Sequence, residues 1–367
     1  MEKDTQHNDL KKRRKRLIRI AEIVLSILLL ILIALLFYYY QLILQKGEGI
    51  AERAEKDLGP LTFKLAIYGT GGRQLPFFRR PNAVALNGNR IFVTDTGNNR
   101  VCVFNYEGRF LFSFGQAGVA YPSTGWKVTW RPGRFNYPYG IDVSPEGQIY
   151  VADTLNCRIQ VFDSQGRPLF WFPKIEDGHV AEVYPMDLDV VDGRVYVADG
   201  YGDRIAVFDL QGNYFFSLGE KGNLAGMIKN PLGVAANREG TVFVSDKLNL
   251  TLAAYRSSGE LIWARGRPVG NLWGENRLLG LPAGVAVDKK GYIYLVDAFN
   301  FDIKIFNEKG DFLTAVGKRG LREGEFNFPR GVKVFNDKLA VADMENNRVQ
   351  IFKINWDYLR NLEKSKE

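Results

Sequence analysis

Residues 91 to 104 read Ile91-Phe-Val-Thr-Asp95-Thr-Gly-Asn98-Asn-Arg100-Val-Cys-Val-Phe104, and the chain returns to this pattern again and again. Strand-like segments closing on Asp recur as Ile149 to Asp153, Val195 to Asp199, Val242 to Asp246, Ile293 to Asp297 and Leu339 to Asp343, with the Asp residues 58, 46, 47, 51 and 46 apart. Ahead of each lies P-x-x-[VIL]: Pro81 with Val84, Pro138 with Ile141, Pro185 with Leu188, Pro231 with Val234, Pro282 with Val285, and Pro329 with Val332. Tight turns carrying Gly88, Gly147, Gly193, Gly240 and Gly291 join these two strands, and Asn336-Asp337 serves in the sixth copy. A third strand in alternating pattern follows the Asp, and a fourth follows another Gly turn. Four short antiparallel strands cannot bury both faces of so small a sheet, so neighbouring sheets must stack, and radial stacking gives a propeller.

The two ends of the repeat array are mismatched. The sixth copy stops after its third strand, Arg348 to Phe352, while Leu61 to Gly69 matches the fourth-strand pattern and stands ahead of the first complete copy. Donation of this segment to the last blade closes the ring and removes two open sheet edges. The expected architecture is therefore all-β, a six-bladed β-propeller over residues 61–355, followed by a polar, helical or frayed tail over 356–367.

The motif after the second strand is D-x-x-N-x-R: Asp95, Asn98, Arg100; Asp153, Asn156, Arg158; and Asp343, Asn346, Arg348. Asp199 and Arg204 keep two members, whereas Asp246, Asn249, Thr251 and Asp297, Asn300, Asp302 lack the Arg. On these residues the chain resembles the NHL-repeat six-bladed β-propeller proteins over most of its length. Rotational equivalence spreads the six Asp around a ring, one per blade, so they cannot converge on one ion. Their expected role is to end the second strand and cap the following turn, with Arg neutralising the carboxylate.

Net charge is +8, from 49 Lys and Arg against 41 Asp and Glu, and part of that excess is local. Residues 1 to 60 hold 11 basic and 8 acidic side chains, which leaves 38 against 33, or +5, for residues 61 to 367. Lys11, Lys12, Arg13, Arg14, Lys15, Arg16 and Arg19 directly precede an apolar run from Ile23 to Leu44, in which Ser26 is the only polar residue before Tyr38, Tyr39 and Tyr40. About twenty apolar residues cross a bilayer core, and tyrosines suit its interface. The reading is a single-pass signal-anchor over residues 23–44, with a basic cytoplasmic N-terminus over residues 1–22 and an extracytoplasmic propeller, by the positive-inside rule. Residues 45–60 read as a polar connector with a helical stretch from Gly49 to Leu58.

Function is sought where the repeats differ. First strands are small or apolar near the axis at Ala83, Gly233, Gly284 and Gly331, whereas Asp142, Asp187 and Asp189 bring carboxylates there, with Lys333 as counter-charge; a water-filled channel lined by solvated carboxylates is expected. The resemblance implies that loops before strand one and after strand two share a face. That face carries Tyr137, Tyr139, Tyr184, Tyr201, Phe299, Phe301, Phe328 and Arg330, and an insertion from Gln116 to Gly133 adds Tyr121, Trp126 and Trp130. Aromatic rings mixed with Arg make a recognition surface. The ligand contacts are assigned to Tyr139, Tyr201, Trp126, Trp130, Phe299 and Arg330.

The leading expectation is a noncatalytic binding or scaffold module for a protein, peptide or cell-envelope glycan, with no catalytic residue, metal or cofactor assigned. The resemblance also admits a lyase or lactonase-like enzyme with a channel-mouth metal, but His179 is the only propeller histidine. It admits RNA binding as well, if the topology were reversed; with the propeller outside the cytoplasm no nucleic-acid partner is expected. Cys102 and Cys157 stand at nonequivalent positions and are expected to be free thiols.

Overall fold

The alternation in the repeats becomes six antiparallel sheets whose order from axis to rim follows the chain. The computed structural model describes residues 25, 28, 29, 31–35, 50–69, 77–119, 131–173, 183–224, 226–266 and 279–366. Blade one, for example, runs Val84–Asn87, Arg90–Asp95, Arg100–Asn105 and Phe110–Phe114, each strand bonded to the next. Each innermost strand lies against the innermost strand of the following blade, and that of blade six returns to that of blade one, so the ring closes.

Four of these inner strands carry P-x-G, at Gly140, Gly233, Gly284 and Gly331. The reason is close approach between blades. A Cβ on Gly284 would stand 2.6 Å from the Arg330 carbonyl oxygen, and one on Gly331 would stand 2.7 Å from the Ala83 Cα. Apolar faces of adjacent blades meet in continuous layers. One such layer joins Phe92, Val101 and Val103 of blade one to Ile141, Ile149 and Val151 of blade two, all buried.

Closure follows the expected route. Leu61–Gly69 pairs antiparallel with Arg348–Ile354, setting Phe63 opposite Phe352 and Leu65 opposite Ile351. The Phe63 and Phe352 rings meet edge to face at 5.8 Å, and both are fully buried. The connector reading is corrected here: Ile50–Asp57 is a strand, not a helix, and it forms a fifth, outer strand of blade six against Leu61–Gly69. Its outward residues Glu52, Arg53, Glu55, Lys56 and Asp57 are exposed, and charge on an edge strand deters pairing with other chains. The tail is the helix Trp356–Lys364, N-capped by Asn355, whose Leu359 is fully buried. Asn355 N–H donates to the Pro60 carbonyl, and Tyr358 packs on Gly59, so the last element holds the turn that starts the clasp.

The motif Asp is only in part the expected cap. In blades one, two and six its Oδ1 accepts from the backbone of the loop leading into strand one, namely Arg79, Asn136 and Asn327 N–H, each at 2.7 Å. None of these three Asp side chains caps the short helical turn that follows it. In blades three, four and five the Asp does accept turn amides, from Gly202, from Leu248 and Asn249, and from Asn300. The Arg neutralises the carboxylate and reaches further: Arg348 donates to the carbonyls of Leu321, Arg322 and Glu325 in the link from blade five. Gln160 and Gln350 do the same on blades two and six, which extends the motif there to D-x-x-N-x-R-x-Q. Where Arg is missing, blade five supplies Lys304, 3.8 Å from Asp297 and 2.9 Å from Asp302. Among the described residues blade four supplies only amide donors, and burial pushes Asp246 up to about 6.

Residues 1–47 with 71–74 form a separate unit. Of the span read at 23–44, only Leu25, Leu28, Leu29 and residues 31–35 are described; all are helical and exposed. Among the described residues no helix is long and apolar enough to cross a membrane.

The clasp predicts a measurable cost. Phe63→Ala removes a fully buried ring from the one sheet built from both chain ends, and unfolding in denaturant should show a loss of about 3–5 kcal/mol. A loss below about 1 kcal/mol would mean that the last blade holds without this contact.

Candidate binding face and axial mouth

The loops before strand one and after strand two are joined across blades by a device absent from the sequence reading. Four residues after each motif Asp, the chain turns left-handed: Asn99, Cys157, Asp203, Leu250, Phe301 and Asn347 all have φ between 50° and 58°. Where that residue has a side-chain carbonyl or carboxylate, it accepts from the residue just before the next blade's Pro. Asn99 accepts from Tyr137 N–H at 2.8 Å, Asp203 from Asn230 N–H at 2.9 Å and Asn347 from Arg80 N–H at 2.8 Å. Tyr137, Asn230 and Arg80 are themselves left-handed, an unfavourable state for residues with a Cβ that such latches offset. The signal lay in paired positions, the residue before Arg and the residue before Pro, which only the folded ring brings together.

On this latched face the aromatic residues divide into two groups. Tyr184 and Tyr201 stack at 4.1 Å with 28° between their planes, and Tyr201 is 73% exposed. Burial pushes the Tyr184 hydroxyl up to about 12, with Tyr201, Tyr139 and Cys157 adding to the effect, so Tyr139 shares this neighbourhood on blades two and three. Phe299 is exposed and packs edge to face on Phe328 at 5.5 Å, on blades five and six. Tyr137 is exposed; Phe301 is half-buried, under the Arg319 guanidinium at 5.5 Å. Trp126 and Trp130, with Tyr121 and His179, lie outside the described residues. Cys102 is a buried free thiol, and Cys157 is partly buried.

Arg330 sits at the centre of the face. It lines the axial mouth with Asn82, Met186, Asp187, Leu232, Ala283, Gly284 and Gly331. Burial lowers its guanidinium below the usual arginine range, with Tyr139 and Asp187 opposing and Arg80 adding to the depression. Asp187 occupies the position that is Gly in four other blades, and Gly140 of blade two leaves it room: a Cβ there would meet the Asp187 Cα at 2.6 Å.

Deeper along the axis, the expectation of solvated carboxylates is corrected. Asp142 and Asp189 are buried, and Lys333 from blade six crosses the bore to bond both, at 2.8 Å to Asp142. Each carboxylate also braces the next blade: Asp142 accepts from Val190 N–H at 2.7 Å and Asp189 from Ala236 N–H at 2.8 Å. Burial works against the Lys333 ammonium, but Asp142 and Asp189 overcome it and hold the group above the ordinary lysine range. Burial lifts Asp142 despite the same partner. A divalent cation does not fit here, because the oxygens it would need already serve an ammonium ion and backbone amides. At the opposite end, a cavity of about 670 Å³ opens among the hairpin turns of blades four, five and six, with Arg238, Lys289 and Lys290 on its wall. Lys290 lies 4.3 Å from the Trp356 ring centre.

Asp187 makes the axis sensitive to pH. Burial pushes its carboxyl up to about 7, above the unfolded value of 3.8, so the folded state binds its proton more tightly. The sign follows from linkage: this contribution to stability is full below pH 4 and is lost as pH rises from about 4 to 7. Asp187→Asn should therefore gain stability relative to the natural chain by about 1 kcal/mol or more between pH 4.5 and 7.5 in paired thermal melts. A constant difference across that range would show that Asp187 titrates normally.

Comparison with known proteins agrees with this architecture. A curated relative, the protein called brain tumor from Drosophila melanogaster, is 32% identical over 129 residues, which cover 26% of this chain and 12% of that protein. Among solved structures, a gluconolactonase from Xanthomonas campestris superposes with a TM-score of 0.56 at 13% identity, covering 85% of this chain and 99% of the other. Virginiamycin B lyase from Staphylococcus aureus gives 0.52 at 12% identity, covering 84% and 100%. At such identities the likeness is one of fold alone. The signature of the NHL repeat matches residues 78–104, 135–162 and 326–352, which hold the entry loop and the first three strands of blades one, two and six. The chain thus carries NHL repeats, assembled as a six-bladed β-propeller.

Proposed function

We propose that this chain is a noncatalytic binding module that presents the latched loop face to a protein or peptide partner. In this reading it is tethered by residues 23–44, with residues 1–22 in the cytoplasm and the propeller outside it. The observation that carries the binding reading is the stacked pair Tyr184 and Tyr201. A ring 73% exposed, held in place by a neighbour on a backbone tied down by Asp199, has its conformational entropy already spent before a partner arrives. Phe299 on Phe328 offers a second such ring. The 32% identity to the Drosophila relative over 129 residues and the NHL repeats of this chain support the same reading. The anchor rests on the apolar run behind seven basic residues.

Photocrosslinking of the full-length chain in native membranes tests the face. Tyr201→Ala and Phe299→Ala should each reduce capture of a specific partner by about tenfold, as expected for anchor rings worth 1–2 kcal/mol or more. Equal capture by the double variant would remove this face from consideration. A C-terminal tag should be cleaved by protease added to intact cells lacking an outer barrier; a tag cleaved only after permeabilisation would reverse the topology.

A further inference from the structure

Rings fill the seams that follow blades one to four. At one register position their fourth strands carry Phe112, Phe170, Phe216 and Trp263, each packed on the apolar layer shared with the next blade. The series then breaks twice. Blade five has Thr314 there, and the C-terminal helix packs on that strand, with Lys366 donating to the Phe312 and Leu313 carbonyls. Blade six has Leu65, opposite Ile351. Beside Leu65 a cavity of about 350 Å³ opens between the clasp sheet and the hairpin turns of blades six and one.

Tyr106, in the turn of blade one, lines this cavity, and its hydroxyl oxygen is buried without a hydrogen-bond partner among the described residues. Burial, with Asp337 adding to it, pushes that hydroxyl up to about 12, so it stays a protonated donor. A buried O–H without an acceptor is costly, and a ligand oxygen that accepts from it offsets the cost. Leu65, Ile351 and Phe352 form an apolar floor, while Arg53, Lys64, Lys338 and Lys353 stand against Glu107 and Asp337 on the rim. Lys338 bonds Asp337 at 3.1 Å, Lys64 bonds Glu55, and Arg53 donates one N–H to the Glu107 carbonyl. Lys353 lies in the field of Glu55 and Asp337 but bonds neither.

We infer that this seam is a binding site for a small aromatic carboxylate, whose ring takes the place that Phe112 holds in blade one and whose carboxylate accepts from the Tyr106 hydroxyl beside Lys353 and Arg53. The site goes beyond the binding-module reading and does not rest on it, since the cavity lies among the hairpin turns, away from the loop face. Its volume is at the lower end for small-molecule sites and suits one or two rings. A monoanion follows from the charges: Lys353 and the remaining Arg53 N–H donors are uncommitted, and two acids share the rim. A dianionic phosphate would want more cations than these.

The test titrates the full-length chain in detergent with benzoate, its neutral isostere benzamide, ringless acetate, and phenyl phosphate, read by ligand-observed NMR against protein-free detergent. Benzoate should bind saturably, benzamide and acetate roughly tenfold more weakly, and phenyl phosphate no more tightly than benzoate. Leu65→Phe supplies the ring found in blades one to four and should weaken benzoate binding by about tenfold or more while leaving the melting temperature unchanged or higher. Tyr106→Phe should weaken it several-fold yet melt no lower than the natural chain, because it removes a buried hydroxyl without a partner. Lys353→Gln should weaken benzoate and leave benzamide unchanged. Absence of saturable benzoate binding, equal binding of benzamide, tighter binding of phenyl phosphate, or unchanged benzoate affinity in Tyr106→Phe or Leu65→Phe would overturn the assignment. The titration of the natural chain decides it even where a variant fails to fold.

Discussion

The pairing of Leu61–Gly69 with Arg348–Ile354 is the constraint on which the remainder of this propeller depends. A ring of sheets has no intrinsic reason to close, since each blade is satisfied by its two neighbours and the terminal blades would expose a face and an edge. Building one sheet from both chain ends makes closure part of the hydrogen-bond ladder. The structure reinforces that sheet twice, with the outer strand Ile50–Asp57 on one side and the C-terminal helix lying on the Leu58-Gly59-Pro60 turn. Closing a ring over nearly three hundred residues costs loop entropy, and buried pairs such as Phe63 with Phe352 offset it.

Within the ring, polar groups are used for geometry more than for stability. Arg158 and Asp153 are both fully buried and bonded at 2.8 Å. Such a pair can be net neutral against an apolar substitute, but removing one member would strand a buried charge. What the pair supplies is position: carboxylate and guanidinium hold the link from the previous blade by its amides and carbonyls. Lys333 does the equivalent across the axis, joining blade six to blades two and three where no backbone could reach. The loop face therefore rests on a frame fixed at its rim by the motif residues and at its centre by one lysine.

This arrangement separates the axial groups into two kinds. Asp142, Asp189 and Lys333 are mutually satisfied and belong to the frame. Arg330, Asn82 and Asp187, one level nearer the loop face, border a depression. The axial bore is spanned by the Lys333 ammonium, bonded to Asp142 and Asp189.

The blade count, the donated strand and the role of the motif Asp as a structural residue were legible because each rests on local periodicity and turn chemistry repeated six times, so errors in one copy are corrected by the others. The strand at Ile50–Asp57 was not legible: its sequence, IAERAEKD, favours a helix, and only the free edge of Leu61–Gly69 makes it extended. The latches from Asn99, Asp203 and Asn347 were likewise hidden, because donor and acceptor belong to different blades. Among the chosen contact residues, Tyr201 and Phe299 proved exposed, whereas Tyr139 and Arg330 are half-buried around the mouth. Repetition along the chain determined the fold; the partners of the axial charges were decided only by the ring, since rotation about an axis brings Asp142 and Lys333, 191 positions apart, within 2.8 Å.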